Sequence, residues 1–107
     1  MPSVRCAYEF QSQRCTALSR PYVPRSMWDA GPLKAALVRE AAKMTHGDDP
    51  KWLHHPLGPL VSAAAFERFG ASKAQAPRDG HNLLYGTVQR GKRGFFVQPA
   101  IFEVSDP

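Results

Sequence analysis

At 107 residues, this chain is one domain or part of one, and folding at that size buries only about two-thirds of the surface the unfolded chain exposes. It is 43% apolar and 21% charged, an ordinary composition for a soluble protein, and no apolar run approaches the roughly 18 residues a membrane-crossing helix needs. The net charge of +5 is scattered: its densest group, Arg90, Lys92 and Arg93, lies beside a glycine turn without interleaved aromatics, so nucleic acid is not the expected partner.

Taken in chain order, residues 12–19 are expected to form a short helix opening at the QSQ segment, followed by an extended stretch from Pro21 to Pro24. Ser26 is the expected N-cap of the next helix, because its hydroxyl accepts from a free backbone N–H. Gly31-Pro32 should interrupt that helix early, since proline lacks a donor and clashes with the preceding turn. From there Leu33, Leu37, Ala41 and Met44 recur at three- and four-residue spacing and share one face, which reads as core. Gly47 is placed to end this helix, and residues 46–59 read as a proline-rich connection.

Ser62 should cap a further helix with Phe66 and Phe69 on its apolar side and Gly70 weakening it early. Residues 82–87 and 95–104 read as strands, the second carrying aromatic and β-branched residues on both faces, as expected of a strand covered on both sides. Pro99 cannot donate to a central ladder, so an edge or a bulge is expected there. The order helix, strand, helix, helix, strand, strand suits part of a doubly wound α/β domain.

Two cysteines, Cys6 and Cys15, are too few for a disulfide framework. A bridge between them would close a small loop and consume a candidate nucleophile, so a reducing compartment is expected. Two local features are expected to favour the Cys15 thiolate, the reactive form of the side chain: the adjacent Arg14, and a nearby helix N-terminus whose free N–H groups would also stabilise an oxyanion. Four histidines invite a metal reading, but His54 and His55 are adjacent and point apart, and neither pairs with a cysteine at a zinc spacing. No metal site is expected.

Three segments carry a resemblance. Tyr8 to Arg20 reads YEFQSQRCTALSR, Pro21 to Trp28 reads PYVPRSMW, and Gly94 to Pro107 reads GFFVQPAIFEVSDP. In this order and spacing they resemble the aldehyde dehydrogenase superfamily, in particular its L-glutamate-γ-semialdehyde dehydrogenase (Δ1-pyrroline-5-carboxylate dehydrogenase) branch. Asp48 and Asp49 resemble that branch's G-D-P loop, and Gly58-Pro59 its G-P-x-x-S.

The resemblance implies that residues 1–107 are a partial, cysteine-bearing catalytic domain of the α/β doubly wound kind, without the Rossmann-type cofactor domain. It makes Cys15 the nucleophile that attacks an aldehyde, with NAD taking the hydride from the hemithioacetal and water cleaving the thioester. It places Thr16 where the family has a serine contacting the substrate carboxylate, and leaves Cys6 as a small packing residue. It places Ser12 at a family glycine whose backbone freedom the turn depends on.

By the same alignment, the activating glutamate and oxyanion asparagine lie upstream of Met1, and the E-E-I-F-G-P segment lies past Pro107. No Gly-rich phosphate loop is present. The expected function is therefore that of a truncated relative of an NAD-dependent dehydrogenase of proline breakdown, inactive alone and binding no NAD itself. Its expected location is the mitochondrial matrix in a eukaryote and otherwise the cytoplasm, with no residues left over for a targeting segment. The alternative is a non-catalytic structural or interaction subunit. In either case, self-association or a protein partner is expected to cover apolar faces at Phe66, Phe95, Phe96 and Phe102.

Overall fold

The computed structural model describes residues 2–45, 57–86 and 94–104. The chain opens with helix α1 (Pro2–Tyr8), whose proline sits at the first helical position, where a missing N–H costs nothing. A 3-10 turn (Glu9–Ser12) follows. There Phe10, Gln11 and Ser12 take φ values of 53°, 58° and 60°, three successive non-glycine residues in the left-handed region. This reversal turns the chain back along α1. The helix expected over residues 12–19 does not form; residues 13–20 run as turn and irregular backbone.

Residues 21–24 lie outside any helix or strand, with Pro24 extended at φ −55° and ψ 137°. Helix α2 (Arg25–Ala30) is capped by Pro24 rather than by Ser26, which lies inside it. The Pro24 carbonyl accepts from the N–H groups of Met27 at 3.0 Å and Trp28 at 3.1 Å, and no side chain caps this end. Gly31-Pro32 separates α2 from α3 (Leu33–Ala42), as the sequence predicts. Helix α3 closes at Lys43, ahead of Gly47, which lies outside the described residues.

Helix α4 (Ala63–Arg78) is capped as expected, Ser62 Oγ accepting from the Ala65 N–H at 3.2 Å. It does not weaken at Gly70. Six alanines supply enough propensity to carry one glycine, whose cost is about 1 kcal/mol. Its C-terminus is a Schellman closure: the His81 N–H donates to the Ala76 carbonyl and the Gly80 N–H to the Pro77 carbonyl, with Gly80 at φ +82°.

Strands β1 (Asn82–Tyr85) and β2 (Ile101–Glu103) pair antiparallel. Leu83 faces Phe102 and Tyr85 faces Ile101, so Leu84 is the extra residue of a bulge. The strand expected over residues 95–104 is thus confined to its last part. Residues 95–100 are irregular, ending in the donor-less Pro99 and then Ala100. At Gly86 (φ +100°) a Cβ would run into the Pro99 carbonyl and Ala100, so this close approach needs glycine.

Strand β1 packs against both α3 and α4. Among the described residues the core is Val4, Ala41, Met44 and Leu57, with Tyr8, Leu37, Tyr85 and Ile101 around it. Leu37, Ala41 and Met44 therefore lie on the inward face that the helical spacing predicts. Of the four phenylalanines expected to be exposed, Phe95 is, whereas Phe66, Phe96 and Phe102 are half-buried. Phe66 and Phe95 meet as tilted rings with centroids 6.0 Å apart. The largest exposures fall elsewhere, at Val61, Tyr22 and Phe10.

Two polar ties span the sequence. Tyr8 donates its hydroxyl to the Ala100 carbonyl at 2.9 Å, and burial pushes the Tyr8 pKa up to about 12. Glu103 accepts from the Trp28 indole N–H, from Lys34 at 2.9 Å and from Asn82 at 3.3 Å, binding α2, α3 and β1 to β2. Those bonds, Trp28 first, hold its carboxyl down at a pKa of about 2. Lys34 also lies 4.9 Å from the centroid of the Trp28 ring.

Candidate active site

Cys15 and Thr16 occupy a turn closed by the Ala17 N–H donating to the Arg14 carbonyl at 3.2 Å, and both are exposed. Two contacts fix this turn. The Leu18 N–H donates to the Cys6 carbonyl at 3.1 Å, satisfying one of the carbonyls left free at the end of α1. Gln13 Oε1 accepts from the Val61 N–H at 2.8 Å, tying the turn to the approach of α4.

Of the two features expected to activate Cys15, the helix is not in place. The helix over residues 12–19 is absent, so its N-terminus cannot face the thiol. The Arg14 guanidinium lies 3.7 Å from Glu9 and over the face of Phe10, 5.1 Å from the ring centroid. Cys6 is also not the packing residue expected: its side chain is exposed.

The Cys15–Thr16 turn borders an open concavity of about 530 Å³, walled on one side by Ser3 and Cys6 of α1 and on the other by residues 15–20. A larger groove of about 1140 Å³ shares residues 17–20 with it and lies among α1, residues 21–28 and residues 97–104. Cys15 and Thr16 line the smaller space and not the larger. The structure thus brings Cys6 into the neighbourhood of Cys15, a juxtaposition the sequence reading missed. Its legible signal was Pro2, whose fitness for a first helical position marks α1.

No group of three or more His, Cys, Asp or Glu side chains that could hold a metal ion occurs among the described residues. His46, Asp48, Asp49, His54 and His55 lie outside them, as do Thr87, Arg90, Lys92 and Arg93. Among the described residues, no helix is long and apolar enough to cross a membrane.

The family profile of the aldehyde dehydrogenases matches residues 2–107. The chain belongs to the aldehyde dehydrogenase family. It is 35% identical over its full length to Delta-1-pyrroline-5-carboxylate dehydrogenase of Agaricus bisporus and covers 19% of that protein. It is 30% identical over 98% of its length to the mitochondrial enzyme of that name from Mus musculus, of which it covers 18%. Among solved structures it resembles a mutant aldehyde dehydrogenase C of Pseudomonas syringae in complex with NAD+ and octanal. That likeness has a TM-score of 0.86 at 29% identity, covering 98% of this chain and 22% of the other.

The chain therefore spans about a fifth of the length of these aldehyde dehydrogenases, and its α/β fold is that of a partial aldehyde dehydrogenase. Among the described residues β1 and β2 come after the last helix, so none of them leads through a glycine-rich turn into a helix as a strand of a pyrophosphate cradle does.

Proposed function

We propose that residues 1–107 are a partial, cysteine-bearing catalytic domain related to the NAD-dependent L-glutamate-γ-semialdehyde dehydrogenases of proline breakdown, with Cys15 as the nucleophile and Thr16 as the contact for the substrate carboxylate. The observation that carries this reading is the exposed Cys15–Thr16 pair, side by side on a turn at an open concavity, within the segment matched by the family. The chemistry these residues supply is addition: the Cys15 thiolate attacks the aldehyde carbon, and the carbonyl oxygen takes up a proton to give a hemithioacetal. Hydride transfer belongs to parts of the family fold that this chain does not span, so the chain alone should not turn over. By likeness to relatives named as mitochondrial, the mitochondrial matrix is the location in a eukaryote, and otherwise the cytoplasm.

The test pairs turnover with protection. The purified chain, incubated with NAD+ and glutamate semialdehyde, is expected to form no NADH. The aldehyde alone should slow alkylation of Cys15 by iodoacetamide more than that of Cys6, and Thr16→Ala should weaken the preference for an aldehyde bearing a carboxylate. Equal protection of the two thiols would remove the nucleophile assignment. NADH formation lost in Cys15→Ala would overturn the expectation of inactivity.

A second reading, a non-catalytic interaction subunit, is favoured by the groove of about 1140 Å³, into which Tyr22, Val23 and Trp28 project apolar surface. Isolation of the chain in a stable assembly that Cys15→Ala leaves unchanged would favour it.

A further inference from the structure

The two cysteines lie nine positions apart in sequence, one in α1 and one on the turn that folds back beside it. Both are free, both are exposed, and both line the same open concavity of about 530 Å³. The bond from the Leu18 N–H to the Cys6 carbonyl pins the returning strand of the loop to the backbone of Cys6 itself. We propose that Cys6 and Cys15 form a reversible disulfide couple, closed by hydroperoxides and opened by dithiols, that withdraws the Cys15 thiol from chemistry. The pairing stands on the shared concavity and does not depend on Cys15 being a carbonyl nucleophile.

Closure would bring the two Cα atoms to about 4.4–6.8 Å with a defined torsion, so the segment between them must adjust. The segment joining the two cysteines runs from the end of α1, where Tyr8 packs against the core, through the 3-10 turn with three left-handed residues, and its side chains at Phe10 and residues 12–14 are exposed.

The chemistry balances with peroxide as oxidant. One thiolate attacks a peroxide oxygen, the O–O bond breaks, and a sulfenic acid and water result. The second thiolate attacks the sulfenic sulfur, the S–S bond forms, and the S–O bond breaks with loss of a second water. Two thiols lose two electrons, and one hydrogen peroxide becomes two waters. In a reducing compartment the couple rests open, consistent with two free thiols.

The experiment treats the whole chain with equimolar hydrogen peroxide at neutral pH, blocks remaining thiols with iodoacetamide, and digests without reduction. Trypsin cuts after Arg5, Arg14 and Arg25 while Arg20-Pro21 resists, so the bridge would join the peptide from Cys6 to Arg14 with that from Cys15 to Arg25. Mixing light and nitrogen-15-labelled chains before oxidation separates bridges within one chain from bridges between copies.

The expected result is loss of both thiols, a linked peptide pair of uniform isotopic label, and full recovery with dithiothreitol. Cys6→Ser should abolish the link and raise irreversible sulfinic and sulfonic acid at Cys15 several-fold, because no resolving thiol remains. Sulfinic acid at Cys15 with Cys6 still alkylated in the wild-type chain would overturn the proposal, as would mixed-label links predominating.

Discussion

At Ser12, where the resemblance leads one to expect glycine, φ is 60°, between a left-handed Gln11 and the irregular residues that lead to Cys15. A left-handed residue with a Cβ costs about 1–2 kcal/mol, and glycine relieves this while adding about 0.5–1 kcal/mol of unfolded-state freedom. Ser12→Gly should therefore stabilise the chain by about 0.5–1 kcal/mol, which for about 100 residues corresponds to roughly 2–6 °C in Tm. Circular dichroism melts would show it, with Ser12→Ala as the control expected to give no gain. An unchanged or lower Tm for the glycine variant would mean that the turn is held without strain.

Between elements the decisive tie is Glu103, which binds α2, α3 and β1 to β2 through Trp28, Lys34 and Asn82. Its folded pKa of about 2 lies below the ordinary value of 4.5, so the stability it confers is present above about pH 4.5 and is lost as the pH falls towards 2. The wild-type Tm should fall across that window, and Glu103→Gln should start lower at pH 7 and show a flatter acid limb. Parallel acid limbs would mean that other carboxylates set the response. Tyr8 acts at the other extreme: its raised pKa gives stability that is present below about pH 10 and lost as the pH rises towards 12.

Much at this scale was legible in the sequence. The Ser62 cap, the break at Gly31-Pro32 and the Leu37–Ala41–Met44 face follow from local chemistry and spacing, and the structure has all three. What was not legible depends on partners or on competing signals. Three successive left-handed residues redirect the chain where a helix was expected, and the Pro24 carbonyl caps α2 ahead of Ser26. Alanines carry α4 through Gly70, and the pairing of residues 95–104 depends on where β1 lies. The candidate site was legible as a segment but not as a place: the motif names Cys15 and Thr16, whereas only the folding of α1 puts Cys6 beside them.

For the molecule as a whole, the balance of inside and outside is unusual. The radius of gyration is 14.2 Å, against about 13 Å for a compact chain of this length. Among the described residues the core comprises Val4, Ala41, Met44 and Leu57, while Val61 is 81% exposed and Tyr22 77%. An open groove with apolar walls of this size is the kind of surface that drives association. Sedimentation equilibrium should show a mass that rises with concentration, accompanied by binding of a hydrophobic dye. A monodisperse monomer that binds no dye and melts cooperatively would contradict this.

The bond from Tyr8 to Ala100 spans 92 residues. On a ribosome adding about 5–20 residues per second, Tyr8 would emerge on the order of 5–20 s before its acceptor is made. The same delay holds for the packing of Tyr8 and Val4 beside Ile101. Closing so long a loop is costly in entropy and comes late in folding. During synthesis α1 is therefore a waiting element whose apolar face stays open to chaperones, and a growing chain stalled short of Ala100 would present it unpaired.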